Sequence, residues 1–131
     1  KEILVVDDDR TVLRLYKILL RSIGYKEIMI AHDGKEAVEK FRRSSEKPKI
    51  IIMDYRMPEM SGIDAMEEIF RMSEDPCVIF ASADSSVKVQ ALSRGASAFL
   101  NKPFDVKRLL SLVREKMSAT AEELERSQTQ S

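Results

Sequence analysis

The sequence predicts a single α/β domain, a parallel five-stranded sheet with helices on both faces. Three observations predict it. Short runs rich in valine and isoleucine recur at even intervals, and segments with helical spacing alternate with them. The 131 residues, 44% hydrophobic and 34% charged, are enough to bury one core but not two. Strands that are apolar on both sides and separated by helices belong to parallel sheets, because right-handed crossovers lay a helix over each face.

The elements follow in order. Strands are read at EILVV (2–6), EIMIA (27–31), KIIIM (49–53), CVIFAS (77–82) and SAFLN (97–101). The first helix carries Val12, Tyr16, Leu19, Leu20 and Ile23 at helical spacing and stops at Gly24, a C-terminal cap. The second starts at Asp33-Gly34, runs on Ala37, Val38 and Phe41, and is broken by Ser44, Ser45 and Pro48. The βα unit repeats five times, a flavodoxin-like, doubly wound (βα)5 three-layer sandwich of strand order 2-1-3-4-5. In such sheets the site lies beyond the carboxyl ends of the strands, where the order reverses.

The sequence places reactive groups at that edge. Asp7, Asp8 and Asp9 follow strand one, Asp54 follows strand three, Ser82 ends strand four, and Lys102-Pro103 follows strand five. Carboxylates gathered within a few ångströms repel one another, and a hard divalent cation with oxygen ligands relieves the repulsion. Magnesium suits the set, because it binds through one or two carboxylates plus a phosphate. A neighbouring carboxylate can then act as nucleophile, with Lys102 as point charge and Ser82 as hydroxyl donor toward phosphate oxygens. Taken singly, each residue also has an ordinary reading. Asp9 can be an N-cap for the first helix, and Asp54, Ser82 and Lys102 can be plain loop residues. Their joint position carries the argument.

Other features bound the function. Lysine plus arginine (22) balances aspartate plus glutamate (22), which argues against wholesale attraction to nucleic acid or an anionic membrane. A lone Cys77 leaves no internal disulfide or cysteine-rich zinc cluster and points to a reducing cytoplasm. It reads as a small buried thiol at a strand start. No run reaches the roughly 18 apolar residues that span a bilayer, and no signal peptide is visible. His32, the only histidine, falls in a loop before Asp33-Gly34 and reads as solvated.

These segments resemble the response-regulator receiver family over residues 2–117. VVDDD (5–9) is similar to its first-strand acidic pair, and MDYRMPEMSG (53–62) to its phosphorylation segment. FAS (80–82) and FLNKPF (99–104) are similar to its last two segments. The resemblance implies Asp54 as phosphoryl acceptor and a magnesium site of Asp7, Asp8, Asp54 and the Arg56 backbone carbonyl. It also implies Ser82 and Phe99 as switch residues, Lys102 as phosphate-pairing lysine and a cis Lys102–Pro103 bond. Arg56 and Asp84 fall where the family tunes phosphoaspartate hydrolysis. Arg56 can hinder attacking water or interact with Asp84. The loop from Ser82 to Gly95 is shorter than in the family's chemotaxis member, so the fourth helix is expected to start differently.

The implied partner is a histidine kinase or phosphotransfer protein, and the implied output runs through the helix 4, strand 5 and helix 5 face, which also offers a dimer surface. The receiver would catalyse only its own phosphorylation and dephosphorylation. Three other classes compete. A flavodoxin-type carrier needs a Ser/Thr/Gly-rich phosphate loop where this chain has three anions. A phosphatase of the haloacid dehalogenase type would use Asp7 and Asp9 but leaves Asp54 unexplained. The third is a degenerate receiver acting as a plain binding module.

From Asp105 onward Val106, Leu110, Val113 and Met117 keep heptad spacing, and Leu124 continues it across Thr120. Helix five is expected to cover the sheet over 106–117. Residues 118–131 are expected to form a helical extension or linker, partly disordered. No helix-turn-helix follows, so this segment is not expected to bind nucleic acid. Both a free-standing receiver and part of a longer regulator fit the sequence.

Overall fold

In the computed structural model, which describes the backbone of residues 2–129 and the side chains of 2–119, the valine-isoleucine runs form the strands. These are β1 (Ile3–Val6), β2 (Ile28–Ala31), β3 (Ile50–Asp54), β4 (Cys77–Ser82) and β5 (Ala98–Asn101). All pair in parallel in the order β2-β1-β3-β4-β5, as expected. The register sets Val6 beside Met53, Asp54 beside Ala81 and Ser82 beside Asn101, so the carboxyl ends of four strands share one edge.

Alternate residues of each strand feed two separate cores. Ile3, Val5, Ile50, Ile52, Ile79 and Ala81 face α1 (Arg10–Ser22) and α5 (Val106–Thr129). Leu4, Val6, Ile51, Met53, Val78 and Phe80 face α2 (Gly34–Arg43), α3 (Gly62–Met72) and α4 (Lys88–Ser93). Each wholly buried aliphatic side chain contributes roughly 1.5–3 kcal/mol, so both faces hold the sheet.

The helix ends follow their sequence signals. Asp9 caps α1 by accepting from the amides of Thr11 (2.9 Å) and Val12 (3.4 Å). Asp33 caps α2 through the Glu36 amide at 2.7 Å, and Ser61 caps α3 through the Asp64 amide at 3.2 Å. Gly24 has φ 105°, which closes α1 in a Schellman motif. Its amide donates to Arg21 O and that of Tyr25 to Leu20 O, both at 3.1 Å.

Two regions add to or depart from the sequence reading. A 3-10 turn (Ser85–Val87) precedes α4, which has only six residues and no side-chain cap among the described residues. Helix α5 runs 24 residues to Thr129, about 36 Å, well past the residues 106–117 expected to cover the sheet. Its buried stripe is Leu109, Leu112 and Val113; Val106 is exposed and Leu110 only partly buried, so the sheet selects a stripe offset from the heptad. The side chain of Leu124 and the expected disorder of residues 130 and 131 lie outside the described residues. No helix among the described residues is long and apolar enough to cross a membrane.

Candidate functional site

Asp7 leaves β1 buried, 2% exposed, with one carboxylate oxygen held by the Asp9 amide at 2.9 Å. Asp54, the last residue of β3, is 7% exposed, and Ser82, the last of β4, is 3% exposed. Asp8 stands exposed beside them. Carboxylate oxygens of Asp7, Asp8 and Asp54 lie within 4.8 Å of one another. Lys102, on the loop after β5, bridges two of them, with Nζ 2.6 Å from Asp7 Oδ2 and 3.0 Å from Asp54 Oδ1. Its backbone amide donates to Ser82 O at 2.9 Å and ties that loop to β4. The Lys102–Pro103 bond is cis.

The electrostatics follow from this packing. Burial pushes the Asp54 carboxyl above its usual range, and the Asp7 charge adds to the rise; the hydrogen bond from Lys102 opposes it without cancelling it. Burial pulls the Lys102 ammonium down, but its bonds to Asp7 and Asp54 outweigh burial and hold it above its usual value. A pocket that already recruits an ammonium between two buried carboxylates, with a third carboxylate exposed at its rim, suits a hard divalent cation, and the donors are all oxygens.

Gly62 explains how Asp54 finds room. A Cβ there would come within 2.1 Å of Asp54 O and 2.9 Å of Phe80 Cζ, and the Gly62 amide donates to Tyr55 O at 2.9 Å. Only glycine lets α3 approach the end of β3 so closely.

At the mouth, Arg56 and Asp84 line the same cleft as Asp7, Asp8, Asp54, Ser82 and Lys102. Arg56 Nη2 lies 3.8 Å from Asp84 Oδ2, so of its two readings the interaction with Asp84 is present. Asp84 caps the 3-10 turn through the Ser86 amide (3.0 Å) and hydroxyl (2.5 Å), bonds that hold its carboxyl below the usual range. The Asp84 amide donates to Ser82 Oγ at 3.0 Å.

Phe99 is 8% exposed, packed among Val87, Ala91 and Ala96 rather than turned to solvent. His32 and Cys77 stand away from the cleft. His32 is partly buried, with Nδ1 3.2 Å from Glu36, and Cys77 opens β4 partly rather than fully buried. Asp9 is spent as a cap. Sequence reasoning missed Ser86, which holds Asp84 at the cleft mouth, and the orphan hydroxyl of Tyr16 in the core behind it. The Ser86 contact has no sequence signal, and Tyr16 reads as one more apolar helix position.

Known proteins resemble this chain in sequence and fold. The family model described as the response regulator receiver domain matches residues 3–114. The chemotaxis protein CheY of Thermotoga maritima is 37% identical over 112 residues, 84% of this chain and 92% of its own. The response regulator MprA of Mycobacterium ulcerans is 36% identical over 86% of this chain, which spans 48% of that longer protein. Among solved structures, the response regulator TrrA of Thermotoga maritima in complex with Mg(2+)-BeF is 34% identical, with a TM-score of 0.79 over 88% of this chain and 98% of that one. A receiver domain protein from Clostridium thermocellum aligns with a TM-score of 0.84 at 28% identity, over 91% and 95%. Fold, acidic cleft and sequence agree, and the chain belongs to the response regulator receiver family of two-component signalling.

Proposed function

We propose that the chain is a phosphorylation-activated switch that accepts a phosphoryl group from a histidine kinase or phosphotransfer protein onto Asp54. The observation that carries this reading is the Lys102 bridge, which puts a cation 3.0 Å from one oxygen of the Asp54 carboxylate at an open cleft. The other oxygen attacks phosphorus in line. The new P–O bond forms as the phosphohistidine P–N bond breaks, and the electron pair leaves on the imidazole. Lys102 pairs with phosphoryl oxygens as they shed charge. Asp7 and Asp8, with Asp54 and the Arg56 carbonyl, would hold magnesium, whose chemistry is neutralisation of charge on the transferring oxygens.

Ser82 then gives up the Asp84 amide and turns its hydroxyl to the phosphoryl group, and Phe99 repacks behind it. Exposed Val89, Leu92 and Val106 on α4 and at the start of α5 supply the apolar surface through which an effector or a second copy would read the change. Arg56 and Asp84 set the rate at which water returns to the phosphoaspartate. We place the receiver unit at residues 1–117 with the rest of α5 as a helical linker, and the protein in the cytoplasm.

The phosphatase reading loses its second aspartate, because Asp9 is engaged in capping α1. The test is uptake from acetyl phosphate with magnesium. The intact chain takes up one phosphoryl group per molecule and Asp54→Asn takes up none; stoichiometric uptake by the variant overturns the assignment.

A further inference from the structure

The loop that carries Lys102 must hold its ammonium in place, yet it has few anchors. It spans four residues between β5 and α5, Lys102 to Asp105. Pro103 is exposed and has no amide to donate. Asp105 serves α5 instead, accepting from the Lys107 amide at 2.9 Å. Phe104 is the loop's apolar anchor. Its ring stacks on Tyr16 with centroids 5.3 Å apart and planes 20° from parallel.

Tyr16 is itself unusual. It is 1% exposed on the sheet-facing side of α1, in one core with Leu13, Leu20, Leu109 and Val113, and its buried hydroxyl has no hydrogen-bond partner among the described residues. An orphan hydroxyl in such a place costs stability, so the ring and not the hydroxyl accounts for the residue's place there. Burial first, and then the charges of Asp7 and Asp54, push its hydroxyl to titrate well above the usual range. The stack of Tyr16 on Phe104 and the loop two residues back to Lys102 join α1 to the cleft.

We propose that Tyr16 is a positioning residue for phosphorylation, fixing the Lys102 ammonium through its stack on Phe104. Lysine has a long flexible stem, so a base fixed at Phe104 cuts what must be ordered at the reacting geometry. Misplacement by about 1 Å costs up to 100-fold in rate. The ring does this work and the hydroxyl does not, so Tyr16 differs from a residue that binds phosphate.

The proposal rests on Asp54 being the acceptor, and the experiment separates the two. Phosphoryl uptake from acetyl phosphate is timed at saturating magnesium on the full chain, for wild type, Tyr16→Phe, Tyr16→Leu, Phe104→Leu and the Tyr16→Leu/Phe104→Leu double variant. Circular dichroism sets a temperature at which each is folded, and a magnesium titration gives the metal affinity. Tyr16→Phe stays within about twofold of wild type. Tyr16→Leu and Phe104→Leu each slow uptake about tenfold with magnesium affinity unchanged, and the double variant is no slower than either. Wild-type rates in Phe104→Leu or in folded Tyr16→Leu overturn the proposal, as do losses that multiply in the double variant. Phe104→Leu, altering a residue only partly buried, decides the matter where Tyr16→Leu fails to fold. No uptake by wild type overturns the acceptor reading instead.

Discussion

Lys102 Nζ sits 2.6 Å from Asp7 Oδ2, joining the loop after β5 to the end of β1 across the width of β3 and β4. Asp7 is nearly inaccessible, so it depends on this ammonium for charge compensation. Lys102→Met leaves two buried carboxylates facing each other, and is expected to cost about 3 kcal/mol in urea unfolding without divalent ions. Magnesium should recover part of the loss. A cost below about 1 kcal/mol in chelator would show that the bridge is not formed in solution.

The two partners give the same pH sign in separate windows, since both values are raised and each group lowers stability as pH climbs. The Lys102 pKa is raised above 10.5, so its stabilising contribution is complete below about that pH and is lost as pH rises through the folded value. Asp54 is raised above 3.8, so the folded state holds that proton more tightly than the unfolded chain. Ionising Asp54 therefore costs stability as pH climbs from 3.8 through the folded value. Asp54→Asn removes this cost, and without divalent ions its stability relative to wild type should increase over that window and then level off. Urea midpoints between about pH 4 and 7 measure it.

Arg56 and Asp84 meet at the cleft mouth with the arginine largely exposed, so their pair adds little to stability. Its expected effect is on water access. Arg56→Ala and Asp84→Ala should each shorten the phosphoaspartate lifetime several-fold, and the double variant no further, because each single change breaks the same contact. Phosphate release after removal of donor reports it; multiplying effects would mean that the two act separately.

Gly62→Ala drives a methyl group against the Asp54 carbonyl, and backbone must move to admit it. The expected cost is about 2 kcal/mol, with slower phosphorylation, since the displaced residue carries the acceptor. Chemical unfolding and timed uptake check both halves. An unperturbed rate would mean that α3, and not β3, gives way.

How much of this was legible depended on whether a residue's role was set by its strand or by its neighbours. Asp7, Asp54, Ser82 and Lys102 could be placed from sequence because parallel strands end at a common edge, and an apolar run of known end fixes where its next residue points. Asp9, Asp33 and Gly24 were readable because caps obey local backbone rules. The contact between Arg56 and Asp84 was only one of two readings left open, since two loop side chains 28 positions apart leave no periodic trace to choose it. Tyr16 looked like one apolar position among several, because its partner Phe104 belongs to a loop. The buried stripe of α5 was misjudged because heptad spacing records a possible seam, whereas the sheet selected Leu109, Leu112 and Val113.

Mapping the modified residue tests the central claim most directly. After incubation with acetyl phosphate and magnesium, borohydride reduction converts a phosphoaspartate to homoserine, which peptide mass spectrometry locates. The account predicts a single conversion, at Asp54, in the peptide containing the Met57-Pro58 segment. Conversion at Asp7 or Asp8 with Asp54 intact would contradict it.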